Sequence, residues 1–281
     1  MRTITNGSVL MTTVLKSIEL HSVDHCTLSC NYCSHNSENE NVKSYSAKDY
    51  DRWLDKISQK GIAFSIILIG GGEPLINENM PELISMAKSH THERVSTMTN
   101  GWWLSSEEMV EKQAEKIEGV DDLCLTIYKP YAEKCGGISA IEDKLSYLQE
   151  LLPELNIIRW GGPDNYGPVV RHFGVIEFTD EKKDTIPDFD CGFMECKQLL
   201  HTGIVLGCCA SRRVLYMSAV DKFDLQKDFN RDEFVSWYNK DPLDLCSHCS
   251  IATKGMSFKE WTQKIGDSHD FLRASVWPDC L

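Results

Sequence analysis

Three cysteines lie close together near the start of the chain, in the stretch DHCTLSCNYCSHN. Cys26, Cys30 and Cys33 have the spacing C-x3-C-x2-C. Iron–sulfur clusters are normally held by four cysteine thiolates, so three thiolates can bind three irons of a [4Fe-4S] cluster and leave the fourth iron open to another ligand. Zinc is an alternative, because Cys30 and Cys33 could combine with the later pair Cys246 and Cys249 in a four-thiolate site.

A glycine-rich motif, GGGEP, spans residues 70–74 and directly follows the apolar run FSIILIG. Glycines at the end of a strand let a ligand approach the backbone closely, and Glu73 offers a carboxylate to a cation. A further motif, TNG, spans residues 99–101 at the end of the next apolar strand. The carboxyl ends of strands carry the chemistry in parallel α/β folds, so we expect the three motifs to form one site.

A second group of cysteines lies in the last third of the chain. The pattern C-x11-G-x4-C over residues 191–208 is followed by C-x2-C over residues 246–249. Four thiolates from these two segments can bind all four irons of a second [4Fe-4S] cluster, and zinc is the alternative metal. The candidate ligands are Cys191, Cys208, Cys246 and Cys249, with Cys196 as the alternative to Cys191.

Short apolar strands alternate with amphipathic helices over the first two-thirds of the chain. Helix starts are predicted at Ser46, with Asp49 three residues on, and at Ser105, with Glu108 three residues on. Such alternation predicts βαβ units and a parallel sheet. About six strands make a partial (β/α)6 TIM-like barrel, since a closed one needs eight. The strand candidates are residues 16–23, 64–70, 94–100, 121–128, 155–160 and 169–178.

The character of the sequence changes after residue 178. A charged linker, TDEKKDTIPDFD, leads into the segment in which cysteines are dense. We therefore expect a barrel domain over residues 1–180 and a small Cys-rich domain with a C-terminal helix over residues 181–281.

Composition narrows the class of protein. The chain has 281 residues and a formal net charge of −13, which argues against a nucleic-acid binder held by phosphate contacts and permits a cationic substrate. No apolar run approaches the ~20 residues that span a bilayer, and none resembles a signal peptide, so we expect no membrane contact and a cytoplasmic location. Twelve cysteines in a reducing compartment indicate metal ligands rather than disulfides.

Together these motifs resemble the radical S-adenosylmethionine (SAM) superfamily over roughly residues 16–180: C-x3-C-x2-C after the first strand, an aromatic residue before its last cysteine, and GGEP after the second strand. The resemblance implies that the three early cysteines hold a [4Fe-4S] cluster whose open iron binds SAM. It also implies reductive cleavage of SAM to a 5′-deoxyadenosyl radical that abstracts hydrogen from substrate. The SAM-binding residues that it implies are Tyr32, Gly71, Gly72, Glu73, Asn100 and Thr126.

The late cysteines resemble the auxiliary-cluster extension called the twitch domain, the shortened relative of the SPASM domain. This resemblance implies a second [4Fe-4S] cluster and favours Cys191 over Cys196, because only Cys191 satisfies the spacing C-x9–15-G-x4-C. Epimerases of the superfamily use a thiol as hydrogen donor, and Cys209 and Cys135 are the candidates for that role.

The resemblance predicts an oxidoreductase or an epimerase acting on a small polar molecule, such as a sugar or an aminocyclitol. It also implies an electron donor such as flavodoxin or ferredoxin. Two alternatives stay open at this point: radical modification of a ribosomally made peptide, and a non-catalytic zinc-binding protein.

Overall fold

A computed structural model describes residues 12–30, 43–127, 132–133, 135–160, 196–208, 220–240, 243–248 and 272–273. Their main feature is an eight-stranded sheet with the order β6-β5-β4-β3-β1-β7-β8-β9. The strands are β1 (Thr13–His21), β3 (Ile62–Gly70), β4 (Thr91–Thr99), β5 (Asp122–Thr126), β6 (Asn156–Trp160), β7 (Cys196–Leu199), β8 (Ile204–Leu206) and β9 (Lys222–Asp224). A separate antiparallel pair joins β2 (Ser29–Cys30) to β10 (Leu272–Arg273).

The sheet is parallel from β6 through β1 to β7, and only β8 and β9 are antiparallel. The prediction of an α/β fold built on a parallel sheet is therefore confirmed. Five of the six predicted strands correspond to β1, β3, β4, β5 and β6. The sixth, over residues 169–178, lies outside the described residues.

Of the helices in the described residues, the first four connect parallel strands and the last follows β9. They are α1 (Ala47–Ser58), α2 (Met80–His90), α3 (Glu107–Lys116), α4 (Ile138–Leu151) and α5 (Arg231–Tyr238). Ser46 caps α1 with Asp49, as predicted. The predicted cap of α3 at Ser105 is wrong by one residue, because the side chain of Ser106 accepts the N–H of Met109.

One face of the sheet packs against these helices and forms the main hydrophobic core. Strand residues of the core alternate along each strand, as Ile18 and Leu20 do on β1 and Leu123 and Leu125 on β5. Since successive side chains of a strand point to opposite faces, the residues between them lie on the other face. That second face is rich in polar groups, and its carboxyl-terminal edge carries the site described below.

The late part of the chain returns to the same sheet. β7 pairs in parallel with β1, on the side opposite β3, and Leu199 and Val205 belong to the same hydrophobic core as the strands of the first half. The segment 161–195, with the predicted boundary near residue 180, lies outside the described residues, so the division into domains 1–180 and 181–281 stays a prediction.

Within the described ranges, no helix is both long and apolar enough to cross a membrane.

Candidate active site

The loops after β1 and β3 lie side by side at the carboxyl edge of the sheet. Backbone hydrogen bonds join Ser22 N–H to the carbonyl of Gly70, Gly72 N–H to the carbonyl of Val23, and Glu73 N–H to the carbonyl of His25, each at 2.8 Å. The glycine-rich motif thus lies directly against the residues that lead into Cys26.

The close packing of the two loop backbones explains why Gly71 and Gly72 have no side chain. A Cβ built on Gly72 would lie 1.9 Å from the carbonyl oxygen of His25, and one built on Gly71 would lie 2.7 Å from that of Val23. Gly71 also has a φ of +120°, a conformation that residues with a side chain rarely adopt. The motif therefore brings two loop backbones closer than any side chain would permit.

Cys26 is the one member of the predicted cysteine triad whose side chain the structure describes. Its sulfur accepts hydrogen bonds from the backbone N–H of Leu28 at 3.4 Å and from Nδ2 of Asn100 at 3.6 Å. Cys30 lies in β2, where its backbone pairs with Leu272. Cys33 and Tyr32 lie outside the described residues. The hydrogen bond from Asn100 therefore links the TNG motif after β4 to the first cysteine of the triad.

Glu73 is buried, and its carboxylate accepts three hydrogen bonds. Oε1 accepts from the hydroxyl of Thr99 at 2.8 Å and from Leu75 N–H at 3.3 Å, and Oε2 accepts from Asn100 N–H at 2.9 Å. Thr99 must donate, because its oxygen already accepts from Gly101 N–H and the indole of Trp103.

Burial raises the pKa of Glu73 to about 7, and the three donors act in the opposite direction. A cation beside this group would favour its ionised form. In the described residues the carboxylate holds the GGEP and TNG motifs together, which the sequence did not indicate.

Thr126 ends β5 on the face opposite Leu125, whose side chain belongs to the hydrophobic core. Its exposed fraction is 1%. Its hydroxyl oxygen is buried and has no hydrogen-bond partner within the described part of the chain. A buried hydroxyl without a partner costs about 1–3 kcal/mol, and such groups are rare in native proteins. A polar ligand at this position would give the hydroxyl a partner.

Residues 21–152 match the model of the radical SAM superfamily. The matched segment contains the cysteine loop, the GGEP motif, the TNG motif and Thr126, and the sheet that supports them is the parallel α/β sheet expected of that superfamily.

This segment, just under half of the chain, is similar to the radical SAM superfamily.

Curated relatives are similar to part of this chain. A probable GTP 3′,8-cyclase of Methanococcus maripaludis is 31% identical over 106 residues, which are 37% of this chain and 33% of the relative. A 7,8-dihydro-6-hydroxymethylpterin dimethyltransferase of Methanocaldococcus jannaschii is 27% identical over 211 residues, which are 63% of this chain and 41% of the relative. The chain thus spans less than half the length of these two relatives.

Solved structures show a similar trace at low identity. The crystal structure of BtrN in complex with AdoMet and 2-DOIA matches with a TM-score of 0.49 and 16% identity, covering 87% of this chain and 89% of BtrN. Streptococcus suis SuiB bound to precursor peptide SuiA matches with a TM-score of 0.39 and 15% identity, covering 86% and 71% of the two chains.

The residues of this radical SAM core fit the cofactors that the superfamily uses. The three early cysteines could supply three thiolates, and the sulfur of Cys26 accepts two N–H groups, as a cluster-bound thiolate can. Gly72 leaves a backbone surface that no Cβ could share, and the hydroxyl of Thr126, which has no partner among the described residues, could bind a polar group such as a ribose hydroxyl. A [4Fe-4S] cluster and SAM are therefore compatible with the site.

The chain segments that carry two of the late cysteines, Cys208 and Cys246, lie side by side. Cys208 follows β8, and the preceding Gly207 has so little space that a Cβ there would lie 3.1 Å from Leu243. Leu243 leads into a short 3-10 helix, Asp244–His248, that contains the buried Cys246.

Asp221 reinforces this arrangement. Its backbone carbonyl accepts the N–H of Gly207 at 2.8 Å, and its carboxylate accepts the N–H of Leu245 at 3.2 Å and the ammonium of Lys240 at 2.8 Å. The chain segments that carry Cys208 and Cys246 therefore adjoin. Cys196 begins β7, and Cys191 and Cys249 lie outside the described residues, so the ligand set of a second cluster stays a prediction.

The structure describes one of the two candidate hydrogen donors, Cys135. Cys135 lies just before α4, is partly buried and packs against the hydrophobic core on the helix side. Cys209 lies outside the described residues. The structure therefore gives Cys135 an ordinary packing role and leaves the hydrogen-donor role of both thiols untested.

Two polar residues near the GGEP motif were not identified from the sequence. Glu19 on β1 and Gln198 on β7 are buried, and Nε2 of Gln198 donates to Oε1 of Glu19 at 2.9 Å. A Cβ on Gly70 would lie 2.4 Å from the same oxygen, so the carboxylate lies against the first glycine of the motif. A charged residue inside the strand KSIELHSV was the signal that could have revealed it.

Proposed function

We propose that this chain uses a [4Fe-4S] cluster held by Cys26, Cys30 and Cys33 to cleave SAM reductively, and that the resulting 5′-deoxyadenosyl radical abstracts hydrogen from a small polar substrate. The supporting observation is the meeting of three motif loops at one edge of the parallel sheet, with Asn100 in contact with both Glu73 and Cys26.

Each described residue has a definite task in this proposal. Gly71 and Gly72 offer the backbone surface that would receive the methionine amino group, and Glu73 fixes the position of that surface through its bonds to Thr99 and Asn100. Thr126 would bind the ribose. The cluster, when bound, supplies the electron that breaks the sulfur–carbon bond of SAM.

The substrate class rests on the polar residues next to the GGEP motif. The buried polar side chains of Glu19 and Gln198 beside Gly70 give this part of the sheet a polar character, which suits a substrate with hydroxyl or amino groups. We therefore favour a sugar or an aminocyclitol, with oxidation or epimerisation as the outcome. Modification of a ribosomally made peptide is the second candidate. A cytoplasmic flavodoxin or ferredoxin is the proposed electron donor.

Thr126→Val tests the proposed ribose contact, because valine keeps the shape of the side chain and removes the hydroxyl. If the hydroxyl binds SAM, its loss should weaken SAM binding about five- to tenfold, the value of roughly 1–1.4 kcal/mol for one hydrogen bond. The free protein should be unchanged or slightly more stable, since a buried unpaired hydroxyl has been removed. Isothermal titration with SAM under anaerobic conditions and thermal unfolding measure the two effects.

Thr126→Ser is the matched control and should retain SAM affinity. An affinity of Thr126→Val equal to that of the original protein would show that Thr126 does not bind the cofactor, and the ribose contact would have to come from another residue.

We also propose a second [4Fe-4S] cluster held by Cys191, Cys208, Cys246 and Cys249. The supporting observation is that Gly207, next to Cys208, packs against Leu243 at the start of the segment that holds Cys246. Two clusters correspond to about eight irons per chain.

Iron analysis of anaerobically purified variants tests the second cluster and its ligands. Cys246→Ala and Cys191→Ala should each reduce the iron content to about four per chain, whereas Cys135→Ala should keep the original value. Iron loss in Cys196→Ala together with retention in Cys191→Ala would move the ligand assignment to Cys196. Stoichiometric zinc with about four irons in the unmodified protein would contradict the second cluster.

A further inference from the structure

Asn100 contacts both Glu73 and Cys26 through N–H donors. Its backbone N–H donates to Glu73 Oε2 at 2.9 Å, and its side-chain Nδ2 donates to Cys26 Sγ at 3.6 Å and to Thr27 Oγ1 at 3.0 Å. Its side-chain oxygen accepts the N–H of Trp102 at 3.1 Å.

The bond from Trp102 decides which end of the amide faces the sulfur. Amide oxygen and nitrogen are distinguished by their hydrogen-bond partners. Because Trp102 offers a backbone N–H, the oxygen of Asn100 must face it, and the NH2 group must face Cys26. Asn100 is also buried, with an exposed fraction of 8%, so water competes little for the same donor.

A hydrogen-bond donor beside a cysteine sulfur affects the reduction potential of the cluster that the sulfur binds. One-electron reduction adds a negative charge that is shared with the cysteine sulfurs, and an N–H dipole aimed at a sulfur stabilises the reduced form more than the oxidised form. Hydrogen bonds to the sulfurs are among the factors that set the potentials of iron–sulfur clusters. The second donor to Cys26, Leu28 N–H, is a backbone group that no side-chain substitution removes.

We propose that the side-chain amide of Asn100 raises the reduction potential of the cluster that Cys26 helps to hold. This inference rests on the proposed function, since it requires a cluster at Cys26. Asn100 is a positioning and tuning residue, and its effect should be visible in the potential itself.

The experiment is a redox titration of the reconstituted protein, followed by the electron paramagnetic resonance signal that changes when SAM is added. That choice of signal keeps a second cluster out of the measurement. Asn100→Ala removes the donor and should shift the midpoint potential to a more negative value. Asn100→Asp replaces the donor by a negative charge and should shift it further in the same direction. Asn230→Ala, which removes the N-cap of α5 far from the site, should leave the potential unchanged.

Three results would overturn the inference. Equal potentials in the original protein, Asn100→Ala and Asn100→Asp, with iron retained, would show that the amide does not tune the cluster. A shift to less negative values would give the wrong sign. Loss of iron from Asn100→Ala, Asn100→Ser and Asn100→Asp alike would assign the residue a purely structural role. The failure of the proposed function is distinguishable, because the unmodified protein would then bind no cluster at all.

Discussion

Replacing Cys26, Cys30 and Cys33 together by alanine is expected to abolish the formation of 5′-deoxyadenosine from SAM under dithionite. The three thiolates are the proposed attachment of the cluster that delivers the electron. The variant should also lose about four irons per chain, while a protein with two clusters keeps the other four. Product analysis by chromatography and iron analysis measure both effects.

Cys246→Ala serves as the control for this triple replacement. It removes a cysteine from the proposed second cluster and leaves the first untouched, so it should still cleave SAM when substrate is absent. If the triple variant forms 5′-deoxyadenosine at the original rate, the early cysteines are not the site of the reaction.

Gly72→Ala is expected to separate the glycine-rich motif from the cysteine loop. The new Cβ would overlap the carbonyl oxygen of His25 at 1.9 Å, and neither backbone can move without breaking the bonds from Gly72 N–H to Val23 and from Glu73 N–H to His25. We expect destabilisation of about 3 kcal/mol or more, as for overpacking that forces a backbone shift. SAM binding should be lost, and chemical denaturation together with SAM titration measures the two effects.

Gly137→Ala provides a matched control. Gly137 has a φ of +92°, yet a Cβ there would meet nothing within 4 Å. The substitution should therefore cost the backbone strain of a conformation that residues with a side chain rarely adopt, about 1–3 kcal/mol, with iron content and SAM binding retained. Unchanged SAM affinity in Gly72→Ala would contradict the close approach of the two loops.

The motif loops were predictable because each follows a strand with a clear apolar pattern. The run that ends at Gly70 is nearly continuous, as expected for a strand covered on both faces, and its end fixes the position of Glu73. Local capping signals were read correctly at Ser46 and missed by one residue at Ser106, because two adjacent serines offer the same chemistry and only the backbone conformation selects between them.

Long-range pairing was not predictable from the sequence. β7 begins 175 residues after β1 ends, since Cys196 follows His21 by that count, and no local pattern states that two such segments pair. The contact between Glu19 and Gln198 depends on that pairing. The hydrogen bonds of Glu73 were missed for a related reason. A carboxylate in a cofactor motif suggests a ligand of the cofactor, whereas in the structure this carboxylate accepts hydrogen bonds from Thr99 and Asn100.

The most direct test of the account mixes the reduced, anaerobically purified protein with SAM and measures 5′-deoxyadenosine and methionine. We predict equal amounts of both products, a brown protein that contains iron and sulfide, and an electron paramagnetic resonance signal of the reduced cluster that changes on addition of SAM. A colourless protein that contains zinc and forms neither product would contradict the assignment of this site to radical SAM chemistry.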